Sequence, residues 1–240
     1  LSADENNAPQ SAHSLSLSAS TSLFGGRYRL AGDLFYKRLY NQIEYGGNIF
    51  DVISSSYQLQ DNLLHGNGRN YGFSLMLHKC TGDLTGWVSY TYTNARRKFK
   101  EMDPDSSFPA THERPHELKA VLMYSPWKHW DFGATAVYAS GTPFTLPESI
   151  ALINGNILTQ YGEYNSNRLR PYFRTDISVN YKWFSRRVKE HGINLSLYNV
   201  SCMNNHLFWK IKVNDDMQFA YRPVSFVVRI LPSISYYCKF

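Results

Sequence analysis

The chain has no long apolar run. Nowhere do 18 or more apolar residues follow one another, which excludes an ordinary transmembrane helix. Helical periodicity is missing too: no long segment repeats its apolar residues every three to four positions, so a helical bundle is excluded. Cysteine is scarce. Cys80, Cys202 and Cys238 are odd in number and far apart, which suits neither a disulfide framework nor a zinc pattern. Charged residues make up only 18% of the chain, with a formal net charge of +6. The pI is about 9.1. The basic residues are scattered apart from Arg96-Arg97-Lys98 and Arg186-Arg187. No motif that reads bases accompanies them, so nucleic acid is not an expected partner. The first residues, Leu1-Ser-Ala-Asp-Glu-Asn-Asn7, show no initiating Met, basic region or apolar core of a leader. The expectation is a mature or partial exported chain.

Aromatic residues are abundant: 18 Tyr, 14 Phe and 5 Trp make 15% of the chain. Mean hydropathy is only -0.40. That combination suits a membrane β-barrel, whose strands alternate lipid-facing and lumen-facing residues and average out as mildly polar. The period is two almost throughout. Leu15, Leu17, Ala19, Thr21 and Leu23 alternate with small polar residues. The same pattern runs through Tyr28–Tyr36, Tyr71–Leu77, Val88–Tyr92, Leu118–Tyr124, Trp130–Tyr138, Phe173–Tyr181 and Ile193–Leu197. At the end of the chain, Ile234, Tyr236, Cys238 and Phe240 share one face, opposite Ser233, Ser235, Tyr237 and Lys239. Aromatics cap the apolar faces, and aliphatic or small residues fill their middles, as in a lipid-facing band between two girdles.

Short turns at Gly25-Gly26, Thr81-Gly82-Asp83, Ser125–His129 and about 185–190 alternate with long polar links over 44–67, 97–113, 141–170 and 201–216. A transmembrane barrel has short periplasmic turns and long external loops, which puts Phe240 on the periplasmic side. Nine strands are predicted: 12–24, 27–42, 68–79, 84–95, 114–125, 130–140, 171–184, 191–200 and 217–240. Residues 1–11 read as the end of an external loop. Leu207–Val213 is predicted to pair with the early part of the last strand as a hairpin above the membrane. Single-chain bacterial barrels have even strand numbers, so nine suggests further strands upstream.

The ordered motifs carry a resemblance. They are Asp33–Tyr45, Gly66–Leu75, Thr81–Tyr92, Phe108-Pro-Ala with Arg114-Pro-His116, Tyr138–Pro143, Asn194–Val200 and Ile230–Phe240. Together they resemble the C-terminal barrel of TonB-dependent outer-membrane receptors, in the subtype with a carboxypeptidase-regulatory-like N-terminal extension. The resemblance implies an all-β antiparallel barrel of about 22 strands closed by a plug. This chain would supply its last nine strands, without the plug or the segment that contacts TonB. It also implies uptake of an iron chelate, cobalamin or glycan. Cys238 departs from the family, where Phe is more usual before the final Lys-Phe. A lipid-facing Cys is tolerable there as a small apolar residue.

Other motifs are weaker. His112-Glu-Arg-Pro-His116 matches the H-E-x-x-H pattern of zinc peptidases, which requires both His on one helical face. Pro109 and Pro115 oppose a helix there, and the segment reads as a loop-to-strand junction with Arg114 and His116 near the outer rim. Gly66–Gly72 lacks the spacing and the following helix of a phosphate loop and reads as a flexible lead into a strand. Asp103-Pro-Asp105 and Asp215-Asp216 lack further carboxylates at calcium-ligand spacing, and the second pair reads as a hairpin turn. Asp131, Asp176, Arg174 and Lys119 fall on the lumen face, where charge pairing is expected.

The expected function is that of a receptor and transporter portion, with no catalytic, cofactor or metal residues. Expected partners are outer-membrane lipid, the remaining strands and plug of a longer receptor, TonB through that absent region, and a small-molecule or glycan ligand. Tyr161, Tyr164, Asn165 and Arg168, in the mixed aromatic and polar 141–170 link, are the candidate ligand contacts. Two alternatives stand beside this. One is a complete small outer-membrane barrel acting as a pore, adhesin or enzyme. The other is a secreted carbohydrate-binding β-sandwich, which would carry large aromatics mid-strand and short loops at both ends.

Overall fold

The computed structural model describes residues 8–45, 63–102, 105–153, 156–185, 189–213, 219–225 and 229–240. The elements are β1 (Ser11–Leu23), β2 (Tyr28–Tyr45), β3 (Leu63–Lys79), β4 (Leu84–Phe99), β5 (Phe108–Pro109), β6 (His116–Trp127), β7 (Trp130–Ala139) and β8 (Pro143–Phe144). They continue with β9 (Pro147–Ile153), β10 (Asn156–Tyr161), β11 (Asn167–Arg168), β12 (Tyr172–Trp183), β13 (Glu190–Tyr198), β14 (His206–Val213), β15 (Phe219–Ser225) and β16 (Leu231–Lys239). Nine of them form one antiparallel meander in the order β1-β2-β3-β4-β6-β7-β12-β13-β16, with β5 attached to β4.

The register carries one apolar face across the whole meander. Leu17 lies opposite Leu34, and Leu34 opposite Phe73. Phe73 lies opposite Tyr92, and Leu77 opposite Val88. Ala134 faces both Leu122 and Ile177, and Ile177 faces Leu197. Leu195 completes the row against Ile234. A one-residue slip in any pair would send a whole strand's apolar set to the other face. This face is not packed on anything among the described residues. Leu15 and Ile234 are each 74% exposed, and Leu34 is 57% exposed. A water-soluble domain could not leave so long an apolar surface bare, whereas a bilayer would cover it.

Aromatic rings collect at both ends of the band. At the short-turn end, Trp127, Trp130, Phe132, Tyr181 and Trp183 lie ring against ring. At the other end Phe73, Tyr90, Tyr92 and His116 do the same. The tight β1–β2 turn is built on left-handed residues, with Gly25 at φ 67 and Gly26 at φ 86.

Several expectations need correction. β2, β3 and β4 overrun the predicted bounds at their long-link ends, reaching Tyr45, Leu63 and Phe99. At 16 to 18 residues they are far longer than the roughly 9–11 that cross a membrane. Gly66, Gly68 and the run Arg96-Arg97-Lys98 interrupt the apolar alternation there, which hides the extension. Gly66–Gly72 is regular β3, not a flexible lead. The link 97–113 carries β5, and 141–170 carries the β8–β11 and β9–β10 pairs.

The predicted strand 217–240 is two elements. β15 pairs with β14, giving the expected hairpin, while β16 pairs with β13. Asn199 sits at that junction, 4% exposed and at φ 55. Its amide nitrogen donates to the carbonyls of Met203 (3.1 Å) and Arg229 (2.6 Å), and its main-chain N–H donates to Asp176 (2.9 Å). Those bonds fix where the chain leaves the hairpin and rejoins the sheet. Of the acidic pairs, Asp103, Asp215 and Asp216 lie outside the described residues, as do residues 1–7 of the predicted first loop.

Replacing Leu34 by Arg should cost about 2–4 kcal/mol in the bilayer-folded protein. Ser89→Arg, on the opposite face, should cost within about 1 kcal/mol. Denaturant titration of both variants checks this, and equal costs would show that Leu34 does not meet lipid.

Candidate functional site

The tightly packed part of the molecule lies at the long-link end. Among the described residues, every fully buried apolar side chain is found there, with Leu64, Phe99, Phe108 and Tyr164 forming one cluster. Phe99 and Phe108 each meet Tyr164 edge-on, at 5.3 and 6.0 Å between ring centroids.

A β-bulge sets up its polar half. Along β2, even-numbered residues lie on the apolar face as far as Tyr40. The register then shifts between Leu39 and Gln42, with Asn41 at φ 52. The extra residue turns Gln42 and Glu44 to the inner face. There the Glu44 carboxylate gathers three donors. Its Oε1 accepts from Arg97 Nε at 3.0 Å, and its Oε2 accepts from the Tyr164 hydroxyl at 2.7 Å and from Thr111 Oγ1 at 3.1 Å. Arg97 is only 3% exposed and also donates to Asn70 Oδ1 at 2.8 Å. Gly68, opposite Arg97 in the register, leaves room for that side chain, since a Cβ there would stand 2.7 Å from its Nη1.

A second carboxylate, this one fully buried, ties the neighbouring segments. Glu113 is 1% exposed; it accepts from the Ala95 main chain at 2.9 Å and pairs with Arg168. Arg168 also donates to the Gly141 carbonyl at 3.2 Å, which ties both ends of the 141–170 excursion together.

Of the four residues predicted to contact ligand, three converge here. Tyr164 and Asn165 are buried. Asn165 donates from its side chain to Pro109 O at 2.9 Å and Thr111 Oγ1 at 3.2 Å, and its main chain donates to Thr145 Oγ1 at 3.0 Å. The polar groups of Tyr164 and Asn165 therefore bind neighbouring loops. Arg168 keeps about a third of its side chain open. Tyr161 ends β10 opposite Pro147, and its side chain lies outside the described residues.

Sequence reading missed Glu44, Arg97, Thr111 and Glu113. A partial signal for Glu44 was present: Leu30, Leu34, Tyr36 and Tyr40 sit at even positions, whereas Ile43 and Tyr45 sit at odd ones, although Phe35 and Leu39 blur the change.

The inner face below the cluster carries alternating charge. Lys182 pairs with Asp131 at 2.8 Å, Arg174 with Asp176 at 3.1 Å and Lys119 with Glu117 at 2.9 Å. The expected pairing of these lumen-side groups is present. The H-E-x-x-H segment is turn and strand, with β6 beginning at His116. Its Glu113 is held by Ala95 and Arg168, so it is not placed to act as a general base beside two His ligands.

A family model described as TonB dependent receptor-like, beta-barrel, matches residues 2–200. The chain belongs to this family. No curated protein matches the chain significantly. Among solved structures, it resembles the ferric-catecholate import receptor Fiu from Escherichia coli K12, with TM-score 0.59 and 16% identity. That match covers 98% of this chain and 29% of the other. It also resembles the FrpB iron transporter from Neisseria meningitidis, with TM-score 0.53 and 15% identity over 97% of this chain and 31% of that one. For the ferripyoverdine receptor of the Pseudomonas aeruginosa outer membrane the values are 0.53, 11%, 90% and 26%. At these identities the likeness is one of fold. The chain spans under a third of each of these proteins.

Two predictions concern the Glu44 junction. Glu44→Ala leaves Arg97 without its carboxylate and should loosen the loop cluster by about 2–3 kcal/mol. Hydrogen exchange at Ala110, Gly162 and Leu169 should quicken in the variant, and unchanged protection would refute the role.

Burial, and then the adjoining Glu44 carboxylate, push the Tyr164 hydroxyl well above the usual tyrosine range. Because the folded value exceeds that of an unfolded tyrosine, the neutral hydroxyl favours the folded cluster below about pH 10. That contribution drains away as pH climbs towards the folded value. The absorbance difference between the parent and Tyr164→Phe should therefore show no tyrosinate step between about pH 9 and 11. A step near 10 would mean that Tyr164 is not buried against Glu44.

Proposed function

We propose that the chain forms part of the barrel of a TonB-dependent importer that takes up an iron chelate through the outer membrane. The observation that carries this is the family match across residues 2–200, joined to a sheet whose single apolar face is bare. The fold neighbours with TM-scores above 0.5 are a ferric-catecholate import receptor, a ferripyoverdine receptor and an iron transporter, which favours an iron chelate over cobalamin or glycan.

In this reading the long-link end faces outward and the C-terminus is periplasmic. The remaining strands and the plug come from the rest of a longer receptor, and TonB acts through that region. Two free edges support the need for more strands. Among the described residues, β1 pairs only with β2, and β16 only with β13. An unpaired edge in hydrocarbon leaves a row of backbone donors and acceptors unsatisfied, at several kcal/mol per group.

Ligand meets the outer surface of the loop cluster. Arg168 contributes its open side, and Tyr161 lies on the same excursion. Tyr164 and Asn165 act from beneath by holding that excursion against β4 and β5. An anionic chelate suits an arginine whose charge is only partly taken up by Glu113.

Uptake of a radiolabelled iron chelate, compared among the parent, a deletion strain and an Arg168→Ala strain, tests the reading. Uptake should fall to background in the deletion and in a strain lacking TonB, and several-fold with Arg168→Ala. Iron uptake that survives the deletion, with labelled cobalamin or glycan uptake lost instead, would replace the ligand class. Permeation independent of TonB would replace the mechanism with a passive pore.

A further inference from the structure

The inner face of the sheet carries a second group of charged and aromatic side chains, apart from the loop cluster. The row through Tyr90, Leu118, Tyr138 and Phe173 marks the outer end of the apolar band. One residue further in, on the opposite face, Lys119 lies opposite Val137, and Val137 opposite Arg174. Strand spacing puts the two cations about 10 Å apart, with the short aliphatic Val137 between them. Tyr172 at the start of β12 and Tyr198 at the end of β13 flank the Arg174 guanidinium. Its Cζ lies 4.7 Å from the centre of the Tyr198 ring, and its Nη1 donates to the hydroxyls of Tyr172 and Tyr198, at 3.3 Å each. A second guanidinium, that of Arg114, lies over the Tyr172 ring at 6.0 Å.

The positive charge here is not balanced from within. Asp176, the carboxylate paired with Arg174, already accepts from Thr135 Oγ1 at 3.0 Å and from the Asn199 main chain at 2.9 Å. Its Oδ2 comes within 3.1 Å of Arg174 Nε, yet that buried nitrogen makes no hydrogen bond. Buried donors are rarely left in that state, because burial removes the water that would otherwise accept from them. Nη2 on the same edge of the guanidinium is not hydrogen-bonded either among the described residues. Glu117 is taken by Lys119, whose own side chain stays 45% open. Arg114 and Arg170 stand at the outer mouth of this wall, both exposed, and no hydrogen bond or ion pair among the described residues engages them. Four cations thus meet two carboxylates, both of them already engaged.

We propose that this stretch of inner wall seats the imported chelate, and that the chelate is a ferric catecholate. An arginine stacked on a tyrosine offers its other flat face to a further ring and its free edge to oxygen atoms. A ferric tris-catecholate is an anion that presents flat aromatic rings with paired oxygens at their edges, so it uses both. Val137 gives a ring apolar contact between the two cations, and Lys119 adds a point charge on the far side. A ferric trihydroxamate is uncharged and aliphatic and gains from neither feature. Ferric citrate is anionic but has no ring to stack. The seat lies further in than Arg168, which is bound to the carbonyl of Gly141, two residues past the Ala139 that lies opposite Tyr172. The inference rests on the iron-chelate reading given above and specifies the class of chelate.

The test measures binding of three chelates to the intact receptor purified in detergent. The probes are a ferric tris-catecholate, a ferric trihydroxamate and ferric citrate. The parent should bind the tris-catecholate at least tenfold more tightly than either of the others. Arg174→Gln should lose at least tenfold of that affinity, and Tyr198→Leu several-fold. Lys119→Gln lies on a neighbouring strand and on a half-open side chain, so it carries the test if the Arg174 variant does not fold; it should weaken the tris-catecholate several-fold. Tris-catecholate binding that is equal in the parent, Arg174→Gln and Lys119→Gln places the ligand elsewhere and overturns the proposal. A preference for ferric citrate, or for the trihydroxamate, overturns the catecholate class while leaving iron-chelate import standing. If none of the three binds and deletion of the receptor leaves iron uptake untouched, the import reading itself has failed and this inference falls with it.

Discussion

A strand that meets hydrocarbon must place every backbone N–H and C=O in a hydrogen bond to a neighbouring strand, because nothing else nearby can accept or donate. The nine-strand meander follows from that requirement. Once the backbone is paired, the side chains have two faces and a period of two, and the register decides which face is apolar. Leu17, Leu34, Phe73 and Tyr92 lie in one lateral row, as do Leu122, Ala134, Ile177 and Leu197. The apolar face needs no packing partner from the protein. It is therefore built without a core, and the side chains that do pack are displaced to one end of the strands.

At that end the physical problem is the opposite one. Beyond the apolar band the strands run on into water, where a two-sided polar sheet has little to hold it. The Glu44 carboxylate solves this by joining β2, β4, the Thr111 segment and the 141–170 excursion through three hydrogen bonds. Burial of Phe99, Phe108 and Tyr164 shields those bonds. Glu113 and Arg168 make a second tie that closes the excursion on itself. In the proposed reading such anchoring favours ligand binding, since less ordering remains to be done when a ligand arrives.

The strands and their pairing order could be read in the sequence because the two-residue period reports the local backbone and is interrupted by unmistakable turns such as Phe24-Gly25-Gly26. The loop cluster could not be read in the same way. Glu44 and Tyr164 are 120 residues apart, and no local period links them. Tyr164, Asn165 and Arg168 drew attention because aromatic and polar residues mix there, yet that mixture does not distinguish a side chain offered to a ligand from one locked against another loop. The broken final strand was hidden for a related reason: Asn199 fixes the break from a different part of the chain. The bulge in β2 lies between these cases. Its signature, Leu30, Leu34, Tyr36 and Tyr40 at even positions giving way to Ile43 and Tyr45 at odd ones, is local but short and blurred by Phe35 and Leu39.

The same change of parity separates the two kinds of charge in this chain. Below the bulge, Arg38 shares the bare apolar face with Arg69 and Arg96, and no carboxylate among the described residues bonds to it. Above the bulge, Glu44 turns inward and meets Arg97, the residue next to Arg96 in sequence but on the other side of the sheet. Arg96 and Arg97 are thus neighbours with opposite circumstances: Arg96 lies on the bare apolar face, and Arg97 is buried against Glu44 on the other. Without the bulge, Glu44 would project on the face of Arg38, and Arg97 would be left as an uncompensated buried charge, a state that costs several kcal/mol. A single inserted residue therefore completes the loop cluster by carrying Glu44 through to the face of Arg97.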